Sequence, residues 1–322
     1  MTQSLSRRTL LGLLGAPWPG AWAAEGDWPS RPPRLVVPYS AGGAADQTAR
    51  LLARALGNRL KTSVVVDNRP GGGGVIGESY VAQAAADGQT LLLDATGFVI
   101  NPLIQPKLAF DPARDLQPVS LLTRTPLLLV VPADAAWTSV DALLKEARQA
   151  RTPLSFASAG NGSAQQLCAE LFALKAGLQL THVPYRGGAP ALNDLMAGQV
   201  SMMFSAMPAC LPFVQAGRLR ALAVTAAQRS PRLPQVPSLA ESGFAGFSAQ
   251  EWNGLWLRAG TPPRLGEQIE AAVRAAMQGP ALREQLLRQG VQPVGGTRDE
   301  FRQFLAAETA QWSQVIRQAG IT

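Results

Sequence analysis

Two stretches of this sequence carry residue types suited to holding a small anion. In the first, an apolar run from Leu35 stops at Pro38, passes through Tyr39, Ser40, Ala41, Gly42 and Gly43, and enters a helical pattern that contains Asp46 and Arg50. In the second, an apolar run ends at Ala157 and Ser158, turns through Gly160, Asn161 and Gly162, and enters another helical pattern after Ser163. Each reads as strand, small-residue turn, helix start. Glycine lets backbone approach a ligand closely, and the first turn of a helix has unpaired N–H groups at the positive end of its dipole. A carboxylate or phosphate suits such a seat. The spacing predicts that the two loops, distant in the chain, face each other across a cleft and hold one anion. Asp46 also has a simpler role open to it, complementing the dipole in a first helical turn.

Other chemistries find less support. His182 is the only histidine, and no nucleophile elbow or Ser-x-x-Lys pair accompanies it. One histidine with two distant cysteines, Cys168 and Cys210, makes no zinc set, so no metal is expected. Both cysteines fall in apolar patterns that read as buried helix faces, where a free thiol and a disulfide both remain open. The glycine spacing at Gly72, Gly74 and Gly77, with Asp94 downstream, matches a dinucleotide fingerprint, and an exported NAD(P)-dependent oxidoreductase is the alternative it raises. Residues 67–70 separate those glycines from the preceding strand, where the fingerprint would begin directly. No lysine follows for a phosphate loop, so the plainer reading is a tight turn into a helix, with no cofactor.

The chain has 322 residues with 47% hydrophobic and 16% charged, which favours a packed globule of two lobes over one core. The formal net charge is +7, with no Lys/Arg run, so nucleic acid is not the expected partner. Arg7 and Arg8 precede a short apolar run, and Ala21-Trp22-Ala23 fits a signal-peptidase site. The expectation is an exported, periplasmic protein with a signal peptide over residues 1–23, using the Tat or the Sec route. No later run is long enough to span a membrane.

Apolar strands alternate with amphipathic helices, which predicts an α/β fold with mainly parallel sheets flanked by helices. Strands are expected at 35–37, 64–67, 91–94, 127–131, 154–157, 181–183, 202–204 and 221–224. Helices are expected at 44–60, 76–85, 140–150, 164–176 and 189–197. After Arg229 prolines punctuate a linker, 251–257 is an apolar stretch with two tryptophans, and three helices follow near 265–277, 281–289 and 299–319. The first lobe is read as 24–126, the second as 127–230, and 231–322 as a return to the first.

Beyond these residue-level readings, the ordered series Val37–Asp46, Val66–Gly77, Phe98–Pro102, Ala157–Ser163, His182–Gly188, Gly217–Val224 and Trp252 ahead of Gly260-Thr261-Pro262 resembles one family. It is similar to the extracytoplasmic solute-binding proteins of tripartite tricarboxylate transporters, also called Bug proteins. The resemblance implies a two-lobed type II periplasmic-binding fold that closes on a small carboxylate, with no catalysis, working as a monomer beside membrane transporter subunits. It implies that the loops at Tyr39–Asp46 and Ser158–Ser163 hold one carboxylate, with Gly97, Phe98, Pro184, Tyr185 and Arg186 as further walls. Two positions depart from the family pattern: Ser205 stands where aspartate is common, and Gln166 where histidine is frequent. The first departure tilts the expectation toward a di- or tricarboxylate or an aromatic carboxylate and away from an amino acid. A ligand-sensing accessory to a signalling system is a further alternative with the same fold.

Overall fold

The computed structural model describes residues 28–105 and 107–319. The paired arginines and the Ala21–Ala23 motif lie outside the described residues.

The first part of the chain alternates as expected. β1 (Arg34–Val37) leads to α1 (Ala44–Leu60), then β2 (Val65–Asn68), a 3-10 turn at Gly72–Gly74, α2 (Val75–Ala82), β3 (Thr90–Asp94), α3 (Gly97–Ile104) and α4 (Pro112–Asp115). A 17-residue strand, β4 (Leu116–Pro132), follows. Next come α5 (Val140–Gln149), β5 (Leu154–Ser158), α6 (Ala164–Ala176), β6 (Leu180–Pro184), α7 (Gly188–Met196), β7 (Met202–Ala206), α8 (Met207–Gln215) and β8 (Leu219–Val224). The chain ends with β9 (Gln250–Arg258), α9 (Pro263–Gln278), α10 (Pro280–Arg288), β10 (Gln292–Pro293) and α11 (Arg298–Ala319).

The strands run in the order β2-β1-β3-β9-β4-β7-β5-β6, with β8 and β10 also on β4. β1 pairs in parallel with β2 and β3, and β5 in parallel with β6 and β7. Every antiparallel pairing among the described residues involves β4 or β9. β4 belongs to both halves: residues from Leu116 to Pro126 pair with β9, and from Leu127 onward the strand pairs with β7 and β8. Two parallel α/β sheets are thus joined through a pair of long antiparallel strands.

Side chains alternate across each strand, so each sheet buries both faces. Leu35 and Val37 point to one core with Leu91, Leu93 and helices α1 and α9, whereas Val36 and Leu92 join Trp252, Trp256 and Phe301 on the opposite face. In the second sheet Leu127 and Leu129 pack with Phe156, Phe172 and Phe204, while Leu128 and Val130 face Ala157, Leu195 and Cys210. Residues 231–249, expected to return to the first lobe, pack on the second sheet through Leu233, Val236, Leu239, Phe244 and Phe247. The chain recrosses at Ala249–Gln250, because those apolar residues complete the second sheet's two cores. Cys168 and Cys210 are buried and free.

Candidate functional site

A right-handed crossover places the carboxyl ends of parallel strands together, and the helix that follows each strand begins there. In this fold the ends of β1, β3, β5 and β7 meet at one narrow hollow between the sheets. The starts of five helices line it. α1 contributes Gly43, Ala44 and Ala45; α3 contributes Gly97; α6 contributes Ser163, Ala164 and Gln165; α7 contributes Gly188; α8 contributes Ala206 and Ala209. Tyr39, Ala95, Ala159, Met203, Ser205 and Glu251 complete the wall. Among the described residues no lysine, arginine or histidine lines it. The N–H groups of Ala44, Ala45, Ala164, Gln165 and Gly188 reach no acceptor among the described residues. Convergent, uncommitted amides at helix ends form an anion seat built from main chain.

The two loops found from residue types therefore do share a hollow, but their polar side chains mostly build the loops themselves. Asp46 is buried and lines nothing. Its Oδ2 accepts from the Gly42 N–H at 2.8 Å and from Arg50 Nε at 2.9 Å, and its Oδ1 accepts from Asn68 Nδ2 at 3.0 Å. The same Asn68 nitrogen reaches the Tyr39 carbonyl at 3.0 Å. Burial pushes the Asp46 carboxyl up, yet the bonds from Arg50, Gly42 and Asn68 outweigh it and hold the acid below its ordinary range. Asp46 clamps the turn at Gly42, whose φ of 83° suits glycine.

In the second loop Ser158 is fully buried. Its Oγ meets His182 Nε2 at 2.6 Å and accepts from the Gly160 N–H at 3.1 Å. Ser163 Oγ caps α6 by accepting from the Gln166 N–H and donates to the Gly160 carbonyl at 2.7 Å. The Gly162 N–H donates to Gln166 Oε1 at 2.8 Å, which gives Gln166 a loop-holding role. His182 stacks on Phe156, and burial lowers its pKa to about 4, so it is neutral and structural.

The remaining expected site residues divide between wall and seam. Tyr39, Gly43, Gly97, Ser163 and Ser205 line the hollow. Ser40, Gly160, Asn161 and Arg186 lie where the halves touch. The Ser40 N–H donates to the Arg186 carbonyl at 3.1 Å, and a Cβ on Gly187 would stand 2.3 Å from Ser40 Oγ. A Cβ on Gly73 would stand 2.2 Å from the Asn161 carbonyl, and one on Gly160 would meet Gly73 Cα at 3.5 Å. Ala41 and Gly42 are exposed, and Phe98 packs on Trp256 in the core that holds Val36 and Leu92. Pro184 ends β6 opposite Ser158, and Tyr185 donates its hydroxyl to Asp194 at 2.7 Å.

The glycines of the dinucleotide-like spacing serve packing. A Cβ on Gly77 would clash with Pro38 at 2.7 Å, so this glycine lets α2 approach β1. Asp94 is fully buried and accepts from the Tyr39 hydroxyl at 3.0 Å and the Ala95 N–H at 2.7 Å. It is also hydrogen-bonded to Glu78, which accepts from Asn101 Nδ2 at 3.1 Å. Burial raises both acids, Asp94 to about 6 and Glu78 well above the carboxylate range, so one proton is held between them.

In sequence the helix starts read as an anion seat without Ala44, Ala45, Ala164 or Gly188 being singled out, since their part in the wall does not depend on side-chain chemistry, and Gln165 and Glu251 were passed over. Glu251 opens β9 and accepts from Gln165 Nε2 at 2.5 Å; burial pushes its carboxyl up to about 7. An acid embedded in an otherwise apolar run was the available signal.

Comparison with known proteins places this geometry. The model of the tripartite tricarboxylate transporter family receptor matches residues 48–321. The chain is 39% identical over 313 residues to a Pseudomonas sp. (strain P51) protein described as the UPF0065 protein in the tcbD-tcbE intergenic region, covering 96% of this chain and 93% of that one. Its structure is similar to R. palustris Rpa4515 with adipate, at TM-score 0.89 and 37% identity, over 92% of this chain and 99% of that one. It is similar to the periplasmic binding protein BugD, at 0.88 and 31%, over 91% and 99%. A third similar structure is MatC (Rpa3494) from Rhodopseudomonas palustris with bound malate, at 0.85 and 30%, over 90% and 100%.

Proposed function

Since the chain belongs to the tripartite tricarboxylate transporter receptor family, whose members are periplasmic solute-binding proteins, we propose that it captures a small carboxylate in the hollow between its two sheets. The observation that carries this reading is the convergence of uncommitted N–H groups from α1, α6 and α7 on one space that no cationic side chain enters. A carboxylate there receives several main-chain hydrogen bonds and the positive ends of three helices, worth most where water is excluded. The adipate and malate held by the two R. palustris proteins support the same ligand class.

In this reading the first lobe comprises the described residues of 28–126 together with 250–319, and the second comprises 127–249. Ligand bridges the lobes and shifts an open–closed equilibrium toward the form in which Ser40 meets Arg186 and Gly73 meets Asn161. That closed face is what membrane transporter subunits engage, in the periplasm. The test is thermal unfolding of purified protein with C4–C6 di- and tricarboxylates, hydroxy and amino acids of the same length, and aromatic acids. A ligand at one hundred times its Kd stabilises by about 2.7 kcal/mol, which moves Tm by several degrees. An unmoved Tm across the whole set overturns the reading.

A further inference from the structure

The hollow is chemically lopsided. Its uncommitted donors are main-chain N–H groups at helix starts and the second amide hydrogen of Gln165, whereas its ionisable side chains are two, Tyr39 and Glu251. The Tyr39 hydroxyl already donates to Asp94. Glu251 Oε2 is taken by the Gln165 amide, and Oε1 receives no bond from the described residues. The carboxyl is also rigidly placed. Glu251 pairs with Thr125 in the β4–β9 ladder, one residue from where the chain crosses between sheets. An acceptor fixed by sheet hydrogen bonds and aimed at a hollow without cations requires a donor to meet it.

We propose that Glu251 reads the far end of the solute, so that the preferred ligand carries one carboxylate for the helix ends and a hydroxyl or amine for Glu251. This rests on the carboxylate reading above and narrows it. A second carboxylate at that end would set acceptor against acceptor, and charge against charge, with no cation lining the space. Gln165 holds Glu251 Oε2 with one of its two amide hydrogens and keeps one to offer, which relieves the clash of acceptors only in part and leaves the clash of charge in place. A hydroxyl or ammonium instead satisfies Oε1. Ser205 offers no acid from β7, so in this hollow the acidic group comes from β9.

The test is calorimetry on the purified protein at about pH 8, above the value to which burial lifts the Glu251 acid. Two equal-length series serve as probes: butyrate, succinate, 4-hydroxybutyrate and 4-aminobutyrate, and hexanoate, adipate, 6-hydroxyhexanoate and 6-aminohexanoate. A hydroxy or amino acid is expected to bind at least about tenfold tighter than the dicarboxylate of its length, since a buried acceptor left unpaired discriminates strongly. Glu251→Gln, of the same shape but uncharged and able to donate, should shrink that ratio to about threefold or less. A wild-type preference for the dicarboxylate overturns the proposal, with or without a folded variant. A ratio unchanged in Glu251→Gln overturns the assignment of Glu251 and leaves the carboxylate reading standing. Failure of every probe to bind sinks both.

Discussion

The two glycine-rich turns of the first lobe look alike in sequence and do different work. Gly42–Gly43 stands against the hollow, with Gly43 in its wall and the amides of Ala44 and Ala45 behind it. Gly71–Gly74 stands against protein: it is stacked on the Asn161 carbonyl of the second lobe, where no side-chain atom fits. On the carboxylate-capture reading proposed above, one turn is bare so that a ligand can come close; the other is bare so that a second backbone can. Their supports differ as well. The first is clamped by Asp46, an acid held ionised by its donors, and the second lies over Glu78, part of an acid pair that keeps a proton. Glycine content alone therefore does not tell a binding loop from a closing surface; what the missing side chain would have struck does.

Substitution at Gly73 is the severest way to test that contrast. Gly73→Ala puts a methyl carbon on the Asn161 carbonyl and adds about 1–2 kcal/mol of left-handed strain. Affinity is expected to fall by at least about a hundredfold as closure is blocked, and small-angle scattering should show a more open particle that no longer contracts with ligand. Wild-type affinity in this variant would remove the turn from the closing surface.

Next in size is the effect of pH on the two supports, which have opposite signs. Asp94 is raised above its unfolded value, so its contribution is whole below about pH 4 and is lost as pH climbs through about 6, and Glu78, raised well above the carboxylate range, works in the same direction. Roughly 2 kcal/mol should disappear between about pH 4 and 8. Glu251, raised to about 7, adds to the same trend. Asp46 is depressed, so its contribution holds above its unfolded value and fails only as strong acid protonates it. Hydrogen exchange should accordingly loosen residues 71–78 on the alkaline side and 42–47 on the acid side. The same response in both segments would erase the distinction.

Gly43 should give the mildest change. A Cβ there meets the Ser40 carbonyl at 3.4 Å and the Gly188 nitrogen at 3.7 Å, so alanine fits with little adjustment. Gly43→Val extends over the Gly188 amide and should weaken carboxylate binding by about tenfold without altering particle size. A variant that opens the particle, as Gly73→Ala does, would show that both turns close the lobes.

Much of this fold is legible in the sequence. Helices at 44–60 and 164–176 coincide with α1 and α6, since each opens after a small-residue cap and carries apolar residues at helical spacing. Elements were missed where prolines interrupt. Pro102 hides α3, while Pro208 and Pro212 hide α8. The first half of β4 escapes notice because Gln117, Pro118, Ser120, Thr123 and Thr125 break its apolar run. Their backbone is nevertheless held by β9 and β10, 120 residues and more downstream, and no local pattern announces that. The site divides the same way. The loops were readable from glycine and serine, but a wall made of Ala44, Ala45, Ala164 and Gly188 amides has no residue-type signature. Asp46, read both as a ligand contact and as a first-turn dipole partner, clamps its loop, whereas Glu251, read only as the start of an apolar stretch, lines the hollow.

The joint between the halves is itself a ribbon. Pro126 pairs with Gln250, Leu127 with Ala206, and the Thr225 hydroxyl donates to the Ala249 carbonyl at 2.6 Å, so both crossings are laced into one ladder. Such a strip resists stretching and sliding but bends and twists, in the manner of a leaf spring. On the proposed reading, gape and bite share a single elastic coordinate, and Glu251 is mounted on the spring itself.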